Sequence, residues 1–258
     1  MRFDTMKKNR LFQTTILSLG LLLTACGTDV PTTALQPPKA DIEITLPEPE
    51  GDAPTDTSED SDALDIGSLN IAEGTTQLIL VTTANTTTTD ATVSYYEKIE
   101  DTWQEIFSVE GHVGVDGIGE ASEYVSRTPT GLYHFTMAFG RYADPGSAIP
   151  YTQVDADDYW VDDPNSAHYN QFVSADETTV DWSSAEHLSA CGDSYNYVLA
   201  LDYNKRCVPG AGSAIFLHCY AGVPSQGCIT IPQDYMVRLL QNISSDCAIW
   251  IGTEDSLK

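Results

Sequence analysis

A histidine and a cysteine stand at the two ends of one short segment, Gly212 to Pro232, which reads G-S-A-I-F-L-H-C-Y-A-G-V-P-S-Q-G-C-I-T-I-P. An ordinary thiol, with a pKa of about 8.5, is only a few per cent ionised near neutral pH, and the thiolate is the nucleophile. An imidazole that accepts the proton raises the reactive fraction, so His218 and Cys228 are the candidate catalytic base and nucleophile. Gly227 fits the same chemistry. Without a Cβ it can take a positive φ, turn the chain sharply and aim the N–H groups of Gly227 and Cys228 at an oxyanion forming on an attacked carbonyl. Ser225 and Gln226 in this turn, and Glu186 and His187 earlier in the chain, are candidate substrate-binding residues.

Two strands must position the pair. Ser213 to Cys219 is an apolar run of strand length, and Cys228 to Ile231 is a shorter one bounded by Gly227 and Pro232. An antiparallel arrangement would make His218 and Cys228 cross-strand neighbours with Cβ atoms about 4.5–5.5 Å apart. The chain from Gln77 onward also reads mostly as strand: L-I-L-V-T-T, then A-T-V-S-Y-Y-E-K, then W-Q-E-I-F-S-V. The clearest helix signal is Pro232-Gln233-Asp234 followed by Tyr235 to Asn242, with Pro and an acid at its start. A last strand, Ala248 to Gly252, closes the domain. The expected fold is mainly β, a sandwich or barrel with a short helix after the cysteine.

Ser225-Gln226-Gly227-Cys228, behind the I-F-L-H strand, resembles the signature of the L,D-transpeptidase (YkuD-type) family, whose usual form is a strand His followed by S-H-G-C. Thr128-Pro129-Thr130-Gly131-Leu132-Tyr133 resembles the T-P-x-G-x-[FY] segment that opens the family's catalytic core. Asp158 to Asp163, Tyr169-Asn170, Glu186-His187-Leu188 and Asp202-Tyr203-Asn204 resemble words of a branch of exported bacterial members. The matches run in order over roughly residues 75 to 252. There are two departures: Gln226 stands where the family has His, and Thr230 where an Arg is common. The resemblance implies a β-sandwich or barrel and a peptidoglycan L,D-transpeptidase that needs no cofactor. Cys228 would attack the carbonyl before D-Ala in a tetrapeptide stem, expel D-Ala, and pass the acyl group to an amine, forming a 3→3 crosslink. A carbonyl near Cys219 would orient the His218 ring. The alternatives are an L,D-carboxypeptidase, with water as the acceptor, and a wall-binding lipoprotein without catalysis. A sortase-like enzyme needs an Arg soon after the Cys, and none is there.

Residues 1–25 read as an export signal: Arg2, Lys7, Lys8 and Arg10 precede the apolar Leu11 to Leu23, and Leu23-Thr24-Ala25-Cys26 reads as a bacterial lipobox. Lipidation of Cys26 would anchor the protein to the outer face of the cytoplasmic membrane, facing the wall. Residues 26–73 carry one base and twelve acids and few large apolar side chains, as in an unfolded tether. Such a segment has an r.m.s. span of about 35–40 Å. Residues 74–258 form the expected catalytic domain, with seven bases against twenty-five acids; the whole chain carries a net charge of −26. Phosphate binding needs the opposite sign, which excludes nucleic acid as a partner. The expected partners are peptidoglycan stem peptides and the membrane, and the expected state is a monomer.

With Cys26 assigned to lipid and Cys228 to catalysis, Cys191, Cys207, Cys219 and Cys247 remain as an even set in an exported chain. The expected disulfides are Cys191–Cys207 and Cys219–Cys247, from the three connectivities that four cysteines allow. No metal is expected. The acids Asp155, Asp157, Asp158, Asp162 and Asp163 do not have EF-hand spacing, and His218, Cys219 and Cys228 lack a C-x-x-C partner and a fourth ligand.

Overall fold

The computed structural model describes residues 65–257. The signal, Cys26 and the tether up to residue 64 lie outside the described residues. The last residues assigned to the tether are packed: Ile66 is buried with Leu78, Leu80 and Trp250 on the outside of the main sheet.

In chain order the strands are β1 (Gln77–Thr83), β2 (Asp90–Ile99), β3 (Thr102–His112), β4 (Ile118–Gly119), β5 (Thr128–Pro129), β6 (Gly131–Gly140) and β7 (Tyr151–Gln153). There follow β8 (Asp158–Val161), β9 (Phe172–Ser174), β10 (Ala185–His187), β11 (Val198–Leu201), β12 (Phe216–Cys219), β13 (Ile229–Ile231) and, after helix α1 (Gln233–Asn242), β14 (Ala248–Thr253). The main sheet runs β11-β12-β13-β3-β2-β1-β14-β6, and β6 also pairs β11, so eight strands close into a barrel with β7 appended to β6. Closure removes the free edges that an open sheet exposes. The fold is therefore mainly β with one α-helix.

The burial pattern along the strands shows where a second layer lies. In β6 the first residues alternate between half-buried and exposed, while the last three are all buried. β11, β12 and β13 are buried at every position. A strand covered on both faces loses the apolar–polar alternation. One cover is the barrel interior, where Leu199, Leu217, Cys219, Ile229 and Ile231 meet the helix residues Met236, Leu239 and Leu240. The i, i+3, i+4 spacing of those helix residues turns one stripe of α1 inward. The other cover is the small antiparallel sheet β10-β8-β9 with the 3-10 turns Leu188–Ala190 and Gly192–Tyr195, whose Trp160, Leu188 and Tyr195 pack on Phe139, Phe216 and Cys228.

The connection between His218 and Cys228 corrects the expected hairpin. β12 and β13 are parallel, with Leu217 opposite Ile229 and His218 opposite Thr230. The loop Tyr220–Gly227 carries the chain back to the start of β12 instead of folding it directly onto its neighbour. β13 is also paired, at Thr230, with His112 of β3.

Candidate functional site

Cys228 lies just before β13, on the face shared with Phe216 and turned away from the barrel interior. By the parallel register, His218 lies one step further along the same face, opposite Thr230 and diagonal to Cys228. The structure thus brings the two side chains to one face but does not bond them. The Cys228 thiol donates to the Ala214 carbonyl at 3.2 Å. The His218 Nδ1 lies 2.9 Å from the Cys219 carbonyl oxygen, and the ring is also drawn to the Ser194 carbonyl. Tyr195 packs edge-on against His218, ring centroids 5.2 Å apart. Burial lowers the His218 pKa to about 4, so the ring is neutral at physiological pH. Burial, then the negative field of Glu186, pushes the Cys228 thiol well above its ordinary range. Beside His218, the buried Thr230 Oγ1 has no hydrogen-bond partner among the described residues.

The turn before Cys228 is stapled from within. Ser225 Oγ donates to the Cys228 carbonyl at 2.6 Å and accepts the Gly227 N–H at 3.1 Å. Ser225 is therefore a turn-forming residue, and the Gly227 N–H is committed to it instead of being presented to an oxyanion. Gly227 has φ +141°, and a Cβ there would sit 3.1 Å from the Arg127 carbonyl oxygen. Gln226 is exposed and accepts from Ser126 Oγ at 2.8 Å. The buried Thr128 hydroxyl accepts the Gly114 N–H at 2.9 Å and donates to the Cys228 carbonyl at 3.3 Å, tying the T-P-x-G segment to the cysteine.

The remaining sequence words meet at the loop that roofs Cys228. Asn170 Oδ1 accepts from Trp160 Nε1 at 3.0 Å and from the Ala214 N–H at 3.1 Å, while its amide donates to the carbonyls of Tyr203 and Asn204. Asn204 donates to the Gly212 carbonyl at 2.9 Å, and Tyr203 to those of Ala211 and Ala121. Ala214 is held at φ +53°, a conformation that costs a non-glycine residue roughly 1–2 kcal/mol. The surrounding bonds fix it there, with its carbonyl facing the sulfur.

A cavity of about 180 Å³ opens beside this loop, walled by Cys228, Ala214, Glu186, Asp162, Glu123, Arg127 and Gln226 among others. Three carboxylates and one guanidinium give it an acidic interior. Glu186 is half-buried and accepts a hydrogen bond at Oε2 from the Tyr195 hydroxyl. Burial raises its pKa to about 7; the Tyr195 hydrogen bond lowers it in part, and the charges of Asp162 and then Glu123 add smaller raising contributions. Among the described residues Asp162 Oδ1 is buried without a hydrogen-bond partner, and Glu123 accepts from Tyr169.

His187 does not join this site. It stacks on Tyr159 at 4.7 Å and bonds the Ala156 carbonyl at 2.8 Å. His218 is absent from the cavity wall. Sequence reasoning missed Arg127, Tyr195, Glu123 and Ala214; of these only Arg127, directly before Thr128-Pro129, adjoins a recognisable word.

All five described cysteines are free thiols, so neither Cys191–Cys207 nor Cys219–Cys247 is formed. Their thiols instead approach backbone carbonyls of separate elements: Cys191 that of His187, Cys207 that of Asn170, Cys219 that of Tyr197 and Cys247 that of Ala248. Among the described residues no cluster of three His, Cys, Asp or Glu could hold a metal ion.

No protein-family model matches the chain, and no curated protein matches it. Among solved structures it is similar to Bd1075 of Bdellovibrio bacteriovorus, at 17% identity and a TM-score of 0.38, over 71% of this chain and 52% of that one. It is also similar to the helical cell shape determining protein Pgp2 of Campylobacter jejuni, at 13% identity and 0.38, over 69% of this chain and 48% of that one. The chain spans about half the length of these structures.

Proposed function

We propose that the protein is a cysteine acyltransferase of the L,D-transpeptidase kind that acts on peptidoglycan stem peptides. One observation carries the reading: a thiol at a glycine turn forms part of a cavity wall, and the segments that resemble the family's words converge on it. In this reaction the Cys228 sulfur bonds to the carbonyl carbon before D-Ala. The tetrahedral adduct then collapses with cleavage of the C–N bond and release of D-Ala. An amine from a second stem takes the acyl group from sulfur. The acidic cavity suits an amine-bearing peptide, since an ammonium group is attracted by Glu123 and Asp162. Lipidation of Cys26 would hold this domain on the outer face of the membrane, within reach of the wall.

Product analysis on a tetrapeptide donor, with and without an added amine acceptor, tests the proposal. A transpeptidase yields a crosslinked or exchanged peptide when the amine is present; hydrolysis alone makes the protein an L,D-carboxypeptidase. A folded protein that leaves the donor intact under both conditions refutes the acyltransferase reading.

A further inference from the structure

We infer that Arg127 is a specificity-determining residue that holds the free C-terminal carboxylate of the donor peptide. The inference deepens the proposed function and rests on Cys228 acting at the bond before a peptide's last residue.

The backbone places Arg127 beside the nucleophile. It directly precedes Thr128-Pro129, and its carbonyl closes over the turn that presents the cysteine: a Cβ on Gly227 would lie 3.1 Å from that oxygen. Its side chain then runs past Gly119, where a Cβ would lie 3.6 Å from Arg127 Cδ and 3.9 Å from Nη1. Arg127 and Cys228 line the same cavity of about 180 Å³, and no other Lys or Arg of the described residues lines it.

Within the protein the guanidinium is almost unused. Its one hydrogen bond among the described residues is long, from Nε to the Asp116 carbonyl at 3.4 Å, and it makes no ion pair there. That is unusual in a domain with seven bases and twenty-five acids. Lys98 pairs with Asp101, Arg141 with Asp193 and Lys205 with Asp202. The first base after Cys228 is Arg238, and it lies over the rings of Phe107 and Tyr235. Arg127 is exposed, so its terminal nitrogens are open to a ligand.

A free guanidinium presents a planar fork of N–H donors that fits both oxygens of one carboxylate. The donor brings such a group to the cavity by its own covalent structure, because the carboxylate carbon of the last residue is three bonds from the carbon that Cys228 attacks. Glu123 and Asp162 in the same wall repel a carboxylate, which leaves Arg127 as the place for it. Gripping the chain end there sets which amide carbonyl meets the sulfur. A peptide whose end is amidated keeps its size and loses this grip.

The test compares a tetrapeptide with its C-terminal amide by calorimetric titration into the full chain carrying Cys228→Ala, which removes turnover. The domain's net negative charge favours the amide at long range, so a preference for the acid has to come from a local cation. The acid should bind about 10- to 10²-fold more tightly than the amide, the range for hydrogen bonds to a charged group. Adding Arg127→Gln should abolish that preference by weakening the acid alone, and Arg127→Lys, with the charge but not the fork, should retain a smaller one. An acid-to-amide ratio that is unchanged by Arg127→Gln overturns the inference. So does equal loss of both ligands, the mark of a purely structural role, or a folded protein that binds the acid no better than the amide, or neither. Binding and turnover separate the two proposals. Arg127-dependent preference in a protein that converts no donor refutes the proposed function and leaves this inference standing; crosslinking with an unchanged ratio does the reverse.

Discussion

Thr128→Val probes the link between the T-P-x-G segment and the nucleophile. Thr128 is fully buried, and its hydroxyl is both the acceptor for the Gly114 N–H and a donor to the Cys228 carbonyl. Valine keeps the volume and removes both bonds. The Cys228 carbonyl retains Ser225 Oγ at 2.6 Å, so the main loss falls on the Gly114 N–H. That glycine is tightly enclosed: a Cβ on it would lie 2.2 Å from the Ser126 carbonyl oxygen and 3.1 Å from Gly227 Cα. Leaving a buried N–H unpaired costs about 1–3 kcal/mol. At roughly 2–4 °C per kcal/mol for a domain of this size, Tm should fall by about 2–12 °C. Thr128→Ser keeps both bonds and loses one methyl, about 1 kcal/mol, so it should melt nearer the native protein. Thermal unfolding of the three proteins, with Cys228 alkylation measured alongside, is the assay. A valine variant that melts within about 1 °C of native and alkylates at the native rate, or a serine variant that is the less stable of the two, refutes the argument.

Gly227→Ala should destabilise the domain by about 1–3 kcal/mol, because φ +141° is strained for any L side chain and the new Cβ crowds the Arg127 carbonyl; an unchanged melting curve contradicts this. His218 gives a pH dependence with a definite sign. Its folded pKa of about 4 lies below the ordinary value of 6.5, so its stabilising contribution is complete above about pH 6.5 and is lost as pH falls toward 4. His218→Gln should flatten the decline of Tm over that window, and an unaltered slope would show that the ring is not held neutral by the fold. Alkylation under denaturing conditions without reductant should label Cys191, Cys207, Cys219, Cys228 and Cys247 alike. Protection of four of them in pairs would restore the expected disulfides.

The parts of the fold that were legible in the sequence are those set by local pattern. Pro232 and Asp234 before an apolar stripe marked helix α1, and the Val-, Ile- and Thr-rich runs marked β1, β2, β3 and β14. What escaped was set by pairing between distant segments. Two strands joined by a short Gly- and Pro-containing loop suggest a hairpin. β13 instead pairs with β3 on its other side and runs parallel to β12, a constraint carried by His112, far from the loop. The same distance effect governs the site. Cys228 was visible from its glycine turn, and Glu186 was named as a candidate contact, but Tyr195 and Ala214 become meaningful only once β10, the 3-10 turn and the 204–214 loop are brought to one cavity. His187 sits beside Glu186 in sequence, yet on a strand adjacent side chains point to opposite faces, and it bonds elsewhere.

The central claim is that Cys228 captures an acyl group. Intact-mass analysis after incubation with a tetrapeptide donor, and separately with a carbapenem, tests it most directly. The account predicts a covalent adduct on Cys228, the donor minus D-Ala in the first case, that is absent from Cys228→Ala. A folded protein that gains no mass from either reagent, or gains it equally in Cys228→Ala, would contradict it.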